Sequence, residues 1–350
     1  MSENTADASA GEAKPQDDIS SDKLMAPSFV GLLLTQTLTA TNDNIFRWLA
    51  IGIGKDYVEP SQHSMILMAG TVCFVLPYLL VAAPAGYLAD RYSKRTVIVG
   101  CKVAEILIMA LGIVAIATEQ FWLLLTVVAL MGAQSALFSP SKLGIIPELL
   151  KPSRISAANS LFGLATVGST IVGAVVGSWL SEETGNRGIE WQLSAYVLIG
   201  VAVVGWICSL LIRSLPPANP KRTFPWNAVA QTYRDLRLLA SNRALFRVAL
   251  GIVFFWSIGT LANLNIDQFA FEGGALLETT KSPLLVSLVI GVGIGSILAG
   301  VWSAGRVELG LLPLGAFGVA LSSMLIFTAQ GAIVDSQYAI TFTVVWACFL

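Results

Sequence analysis

Long apolar runs separated by short polar breaks occupy almost the whole chain. They cover Pro27–Ile53, Ser64–Ala89, Thr96–Ala117, Phe121–Lys142, Ala157–Leu180, Trp191–Leu215, Ala244–Phe271, Pro283–Ala304 and Leu311–Ala329, and a tenth begins at Ala339. Each complete run approaches or exceeds the roughly 20 apolar residues that a bilayer-crossing helix needs. Backbone groups in lipid must be satisfied within their own segment, so the runs predict helices. The period-two alternation of a membrane barrel is absent.

The stretch 216–243 interrupts this rhythm. It opens with Pro216, Pro217 and Pro220 and continues polar and basic through Arg234, Asp235 and Arg237. The predicted organisation is therefore a disordered tail over 1–25, a six-helix bundle over 26–215, a linker over 216–243 and a second bundle over 244–350. Within the linker, Tyr233–Leu239 suits either an amphipathic helix on the membrane surface or a plain connection. The tail carries Asp7, Glu12, Asp17, Asp18 and Asp22 with no apolar core, which excludes a signal peptide. The chain stops at Leu350 inside its tenth run, and more chain is expected beyond it.

Composition supports the membrane class: 55% of residues are hydrophobic and only 12% charged. The net charge of −1 conceals a polarity across the membrane. Loops on one side hold fourteen Lys and Arg residues, from Arg91 to Arg306, whereas the opposite loops hold only Lys55, Arg187 and Lys281. That asymmetry predicts a cytoplasmic N-terminus. Trp48, Trp122, Trp179 and Trp191 fall near span ends and suit interfacial anchors.

The halves also resemble each other. Asn42-Asp43-Asn44-Ile45 in the first run is matched by Asn263-Leu264-Asn265-Ile266-Asp267 in the seventh, and Gly86 at the end of the second by Gly300 at the end of the eighth. Six spans, a long inner loop and further related spans resemble the major facilitator superfamily. The loop after the second span strengthens this: Gly86-Tyr87-Leu88-Ala89-Asp90-Arg91-Tyr92-Ser93-Lys94-Arg95 is similar to the superfamily signature, with Ser93 where a Gly is usual. The resemblance implies two related bundles and a gating role for Gly86, Asp90, Arg91, Lys94 and Arg95. The second-half copy lacks the acid. Thr41-Asn42-Asp43-Asn44, Ser139-Pro140-Ser141-Lys142-Leu143-Gly144 and Ala157-Ala158-Asn159-Ser160, with Phe254-Phe255-Trp256, are similar to the bacterial lysophospholipid transporters. That narrower resemblance implies inward movement of lysophospholipids across the inner membrane. It also implies a possible fusion to an acyltransferase and an acyl-carrier-protein ligase.

Charges at membrane depth are costly and usually face the bundle interior. Asp43 and Arg47 are spaced to pair along one helix face, as are Lys102 and Glu105. A lysophospholipid phosphate would need a cation such as Arg47, Lys102 or Lys142. Its head-group donors would need Asp43 or the amides of Asn42, Asn44, Asn159, Asn263 and Asn265, with Asp267 beside them. The competing reading makes both charge pairs neutral structural bridges, and Lys142 an interfacial anchor. Gly173 and Gly177 form a small-residue packing pair, with Gly168 one turn earlier.

No GxxxxGK[ST] loop is present, so nothing here binds ATP in that manner. His63 is the only histidine and has no Asp five residues on, which excludes His-x4-Asp acyltransferase chemistry from residues 1–350. Cys73, Cys101, Cys208 and Cys348 all fall within spans and form no metal or disulfide framework. The prediction is an all-α secondary transporter with no catalytic residues, cofactor, metal or nucleic-acid partner. It acts as a monomer on lysophospholipid or another amphipathic small molecule. A proton-coupled exporter of the same fold and the membrane half of a bifunctional acyltransferase are the alternatives.

Overall fold

A computed structural model describes residues 24–186, 191–272, 290–295, 298, 302 and 311–328. The long helices are α1 (Pro27–Lys55), α2 (His63–Arg91), α3 (Lys94–Ala117), α4 (Phe121–Gly144), α6 (Pro152–Asn186), α7 (Gln192–Leu210), α9 (Arg243–Glu272) and α10 (Leu311–Thr328). The described residues also include two shorter helices, α5 (Ile146–Leu149) and α8 (Ala228–Ser241), and a 3-10 turn at Pro60–Gln62. Six of the long helices, α2, α3, α4, α6, α7 and α9, contain segments long and apolar enough to cross a membrane. The eighth predicted span is described only at 290–295, 298 and 302, and the tenth lies outside the described residues.

The helices begin and end where local chemistry dictates. Pro27 opens α1 at a position where its missing N–H costs nothing. α6 starts at Pro152, five residues before its apolar run, because Ser153 and Arg154 extend it beyond the apolar segment. α7 stops at Leu210, short of the predicted Leu215, with Arg213 and Pro216 following. Asn227 caps α8 by accepting the Ala230 amide at 2.9 Å, and Asn242 caps α9 through the Ala244 and Leu245 amides.

α1 is the centre of the bundle. It packs against α6, α7, α4 and α2, and seventeen of its 29 residues are buried. Polar residues fill its middle, and they are covered by neighbouring helices. The α1–α6 crossing is close because Gly173 and Gly177 lie against it. A Cβ on Gly173 would stand 2.5 Å from the Asn44 Cβ and 2.7 Å from the Thr41 carbonyl. Gly168 faces open space and takes no part. Trp48 departs from its expected anchor role: it is 7% exposed and its Cβ packs where Gly177 leaves room. Trp122, Trp179 and Trp191 are exposed near helix ends, as anchors require.

Two apolar clusters fill the bundle. One joins Ile45, Phe46, Leu49, Met109, Leu124, Val128, Met131 and Leu198. The other joins Phe29, Leu32, Ile98, Cys101, Phe138, Ile145 and Phe162. Between the clusters, α1, α3 and α4 bury polar side chains, among them Thr39, Asn42, Asp43, Lys102, Glu105, Gln134 and Ser135, so a polar layer lies between two apolar ones.

Candidate functional site

That layer holds two hydrogen-bonded groups, one around Lys102 and Glu105 and one around Ser135. The Lys102 ammonium contacts Glu105 Oε2 at 2.6 Å and donates to Thr39 Oγ1 at 3.0 Å. The Asn42 amide donates to the other Glu105 oxygen at 3.0 Å. Lys102 and Asn42 are 0% exposed and Glu105 is 1% exposed. Gly205 of α7 makes room for the ammonium, since a Cβ there would stand 2.7 Å from Lys102 Nζ. From α4, Gln134 donates to the Cys101 carbonyl at 3.0 Å, and the Ser135 hydroxyl donates to Asp43 Oδ2 in a short contact. Each charge in the Lys102–Glu105 pair is thus met by the other and by a neutral partner, which is what a buried ion pair needs to persist.

Asp43 and Arg47 do not form the expected pair. Asp43 points to Ser135 on α4, and its Oδ1 has no partner. Arg47 donates to Asn44 Oδ1 at 2.8 Å, and its guanidinium lies 5.5 Å from the Phe74 ring and 5.9 Å from the Trp48 ring. Spacing of four places two side chains on one face, but here they turn toward different neighbours. Asn44 Nδ2 in turn donates to the Ala40 carbonyl at 2.7 Å. Arg47 is half-buried, its Nε is unpaired, and Tyr78 stands within electrostatic reach of both Arg47 and Asp43. A half-buried cation held over aromatic rings, near a carboxylate with a vacant oxygen, has the chemistry to meet an anionic head group.

The other candidates are dispersed. Lys142 ends α4 half-buried, with Nζ 5.1 Å from the Phe138 ring, and lies within electrostatic range of Asp43. Asn159 is exposed near the start of α6. Asn263, Asn265 and Asp267 lie on α9, with side chains outside the described residues. Sequence reasoning missed Thr39, Gln134 and Ser135. The available signal was Gln134-Ser135, a polar pair within an apolar span.

The signature loop is fully engaged. Asp90 forms an ion pair with Arg222, in the segment before α8, and Arg222 also donates to the Gly86 carbonyl at 3.2 Å. Arg91 donates to the Arg222 carbonyl, the Asn219 amide donates to the Asp90 carbonyl, and Tyr87 meets Phe224 edge-on at 5.2 Å. Lys94 pairs with Glu148 at 2.6 Å, and Arg95 donates to the Leu210 carbonyl at 3.1 Å. The Asp90 and Arg222 side chains are 43% and 30% exposed, so the pair contributes about 1 kcal/mol or less. Arg222→Gln is therefore expected to leave the melting temperature nearly unchanged. A large fall in thermal unfolding of purified protein would contradict that.

A profile of the Major Facilitator Superfamily matches residues 24–350. The lysophospholipid transporter LplT of Serratia proteamaculans (strain 568) is 25% identical over 280 residues, covering 78% of this chain and 65% of that protein. LplT of Yersinia pestis (strain Pestoides F) is 25% identical over 290 residues, covering 80% of this chain and 66% of that protein. The chain thus spans just under two thirds of the length of these relatives. A crystal structure of a bacterial homolog to the human lysosomal transporter Spinster, in an inward-facing and occupied conformation, superposes with a TM-score of 0.57 at 16% identity. It covers 92% of this chain and 72% of that chain, a likeness of fold.

Proposed function

The chain belongs to the major facilitator superfamily, and from that premise we propose that this multi-pass transporter moves lysophospholipids inward across the bacterial inner membrane by alternating access. One observation carries the reading: Arg47 keeps an unpaired Nε beside Asp43 while aromatic rings flank it. A phosphate meets the guanidinium, head-group donors meet Asp43, and the acyl tail lies along apolar helix faces. Lys102 and Glu105 act as a structural bridge in this scheme, because their polar atoms are occupied by each other, Thr39 and Asn42. Lys142 and Asn159 serve the inner end of the path, and Asn263, Asn265 and Asp267 the facing half. Gly86, Asp90, Arg91, Lys94 and Arg95 gate the motion, with Arg222 tying the linker to the N-terminal bundle. The N-terminus is cytoplasmic, on the side rich in Lys and Arg.

The test is uptake of labelled lysophosphatidylethanolamine by cells without their own transporter, expressing the chain or its Arg47→Gln or Asp43→Asn variants. Uptake is expected from the parent and a fall of tenfold or more in each variant, since a charge-assisted bond is worth about 1.5–3 kcal/mol. No uptake by correctly inserted parent protein would sink the lipid reading. A second reading, a proton-driven exporter, draws support from the partnerless Asp43 oxygen. It requires Asp43→Asn to abolish dependence of efflux on the pH gradient.

A further inference from the structure

Helix α8 presents exposed apolar side chains along one edge. It leans on α2, and its less exposed positions Gln231, Thr232 and Leu239 mark the packed side. Tyr233 and Leu236 follow at helical spacing along the edge of that side and are 66% and 58% exposed. Trp226, just before the cap at Asn227, is 92% exposed. An exposed aromatic and aliphatic stripe of this kind marks an interaction surface.

Charge identifies the partner. Residues 221–247 hold six cations, Lys221, Arg222, Arg234, Arg237, Arg243 and Arg247, against the single acid Asp235. Arg234 and Arg237 are exposed beside the stripe, while Arg222 is taken by Asp90. α8 also stands between two spanning helices, α7 and α9, so it lies at the membrane edge where both reach the surface. A helix with apolar residues on one side and arginines flanking them suits the boundary between acyl chains and head groups.

We infer that α8 is a docking surface for anionic phospholipid head groups of the surrounding leaflet. Tyr233 and Leu236 enter the acyl boundary, and Arg234 and Arg237 hold phosphate and head-group anions. The inference goes beyond the transported substrate, because α8 shares no residue with the Asp43–Arg47 region.

Photocrosslinking tests it. The full chain, with benzoylphenylalanine in place of Leu236, is placed in nanodiscs containing phosphatidylethanolamine and phosphatidylglycerol. Adducts are then identified by mass spectrometry. Phosphatidylglycerol adducts are expected in excess of its share of the lipid, whereas the same probe at Gln231, about 140° around the helix from Leu236, gives none. Arg234→Gln with Arg237→Gln should lower the excess on the order of tenfold, since each basic residue near an anionic surface contributes about 1 kcal/mol. Adducts to residues of this chain, no lipid adduct at position 236, or lipid adducts merely proportional to abundance would each overturn the inference.

Discussion

Replacing Lys102 with methionine is expected to destabilise the bundle by about 3–5 kcal/mol, the usual cost of leaving one partner of a buried ion pair uncompensated. Glu105 would keep only the Asn42 amide as a partner, at a place 1% exposed. Purified Lys102→Met should therefore melt at a much lower temperature and aggregate in detergent. The double variant Lys102→Met with Glu105→Gln should recover most of the loss, because the neutral amide no longer needs the ammonium. If the single variant melts like the parent, the pair is not structural. If the double variant is stable yet inactive, the pair does more than hold helices together.

The second large effect concerns helix approach. A Cβ on Gly132 of α4 would fall on the Phe74 carbonyl oxygen of α2, and one on Gly177 would fall on the Ile45 carbonyl oxygen of α1. Both obstacles are backbone, which cannot swing aside as a side chain does. Gly132→Ala and Gly177→Ala are each expected to cost about 1–3 kcal/mol by forcing the helices apart. Gly168→Ala and Gly200→Ala meet open space and should be neutral or slightly stabilising, since Ala is the better helix former. A thermal-stability series on the four variants checks the contrast. Equal behaviour of all four would mean that the helices do not cross as closely as the structure has them.

The span pattern is legible in sequence because each long helix carries an apolar run, and the ends shift where a polar segment stays helical, as at Ser153 and Arg154, or where helix stops before its run, as after Leu210. Charge at membrane depth likewise points to Asp43, Arg47, Lys102 and Glu105, and the Lys102–Glu105 contact follows from their spacing. The direction of each side chain is another matter. Asp43 and Arg47 share a face, yet Ser135 draws one toward α4 while Asn44 and Phe74 hold the other, and no one-dimensional spacing records which neighbouring helix stands there. Ser135 and Gln134 are neutral, so hydropathy barely registers them. Arg222 meets Asp90 across 132 residues, a distance at which local pattern says nothing.

The polar middle of α1 also bears on how the chain enters the membrane. Asp43 and Arg47 would each disfavour an isolated helix in the bilayer centre by about 2.5–3.5 kcal/mol, and Asn42 adds to this. Their partners, Ser135, Glu105 and Phe74, lie on helices made later. Synthesis runs from the N-terminus, so α1 emerges before the helices that carry these partners. α1 is therefore expected to partition fully into lipid only once α2, α3 and α4 have arrived. Truncating the chain before α3 should leave α1 unable to partition fully, so the order of biogenesis is written into the same buried polar layer.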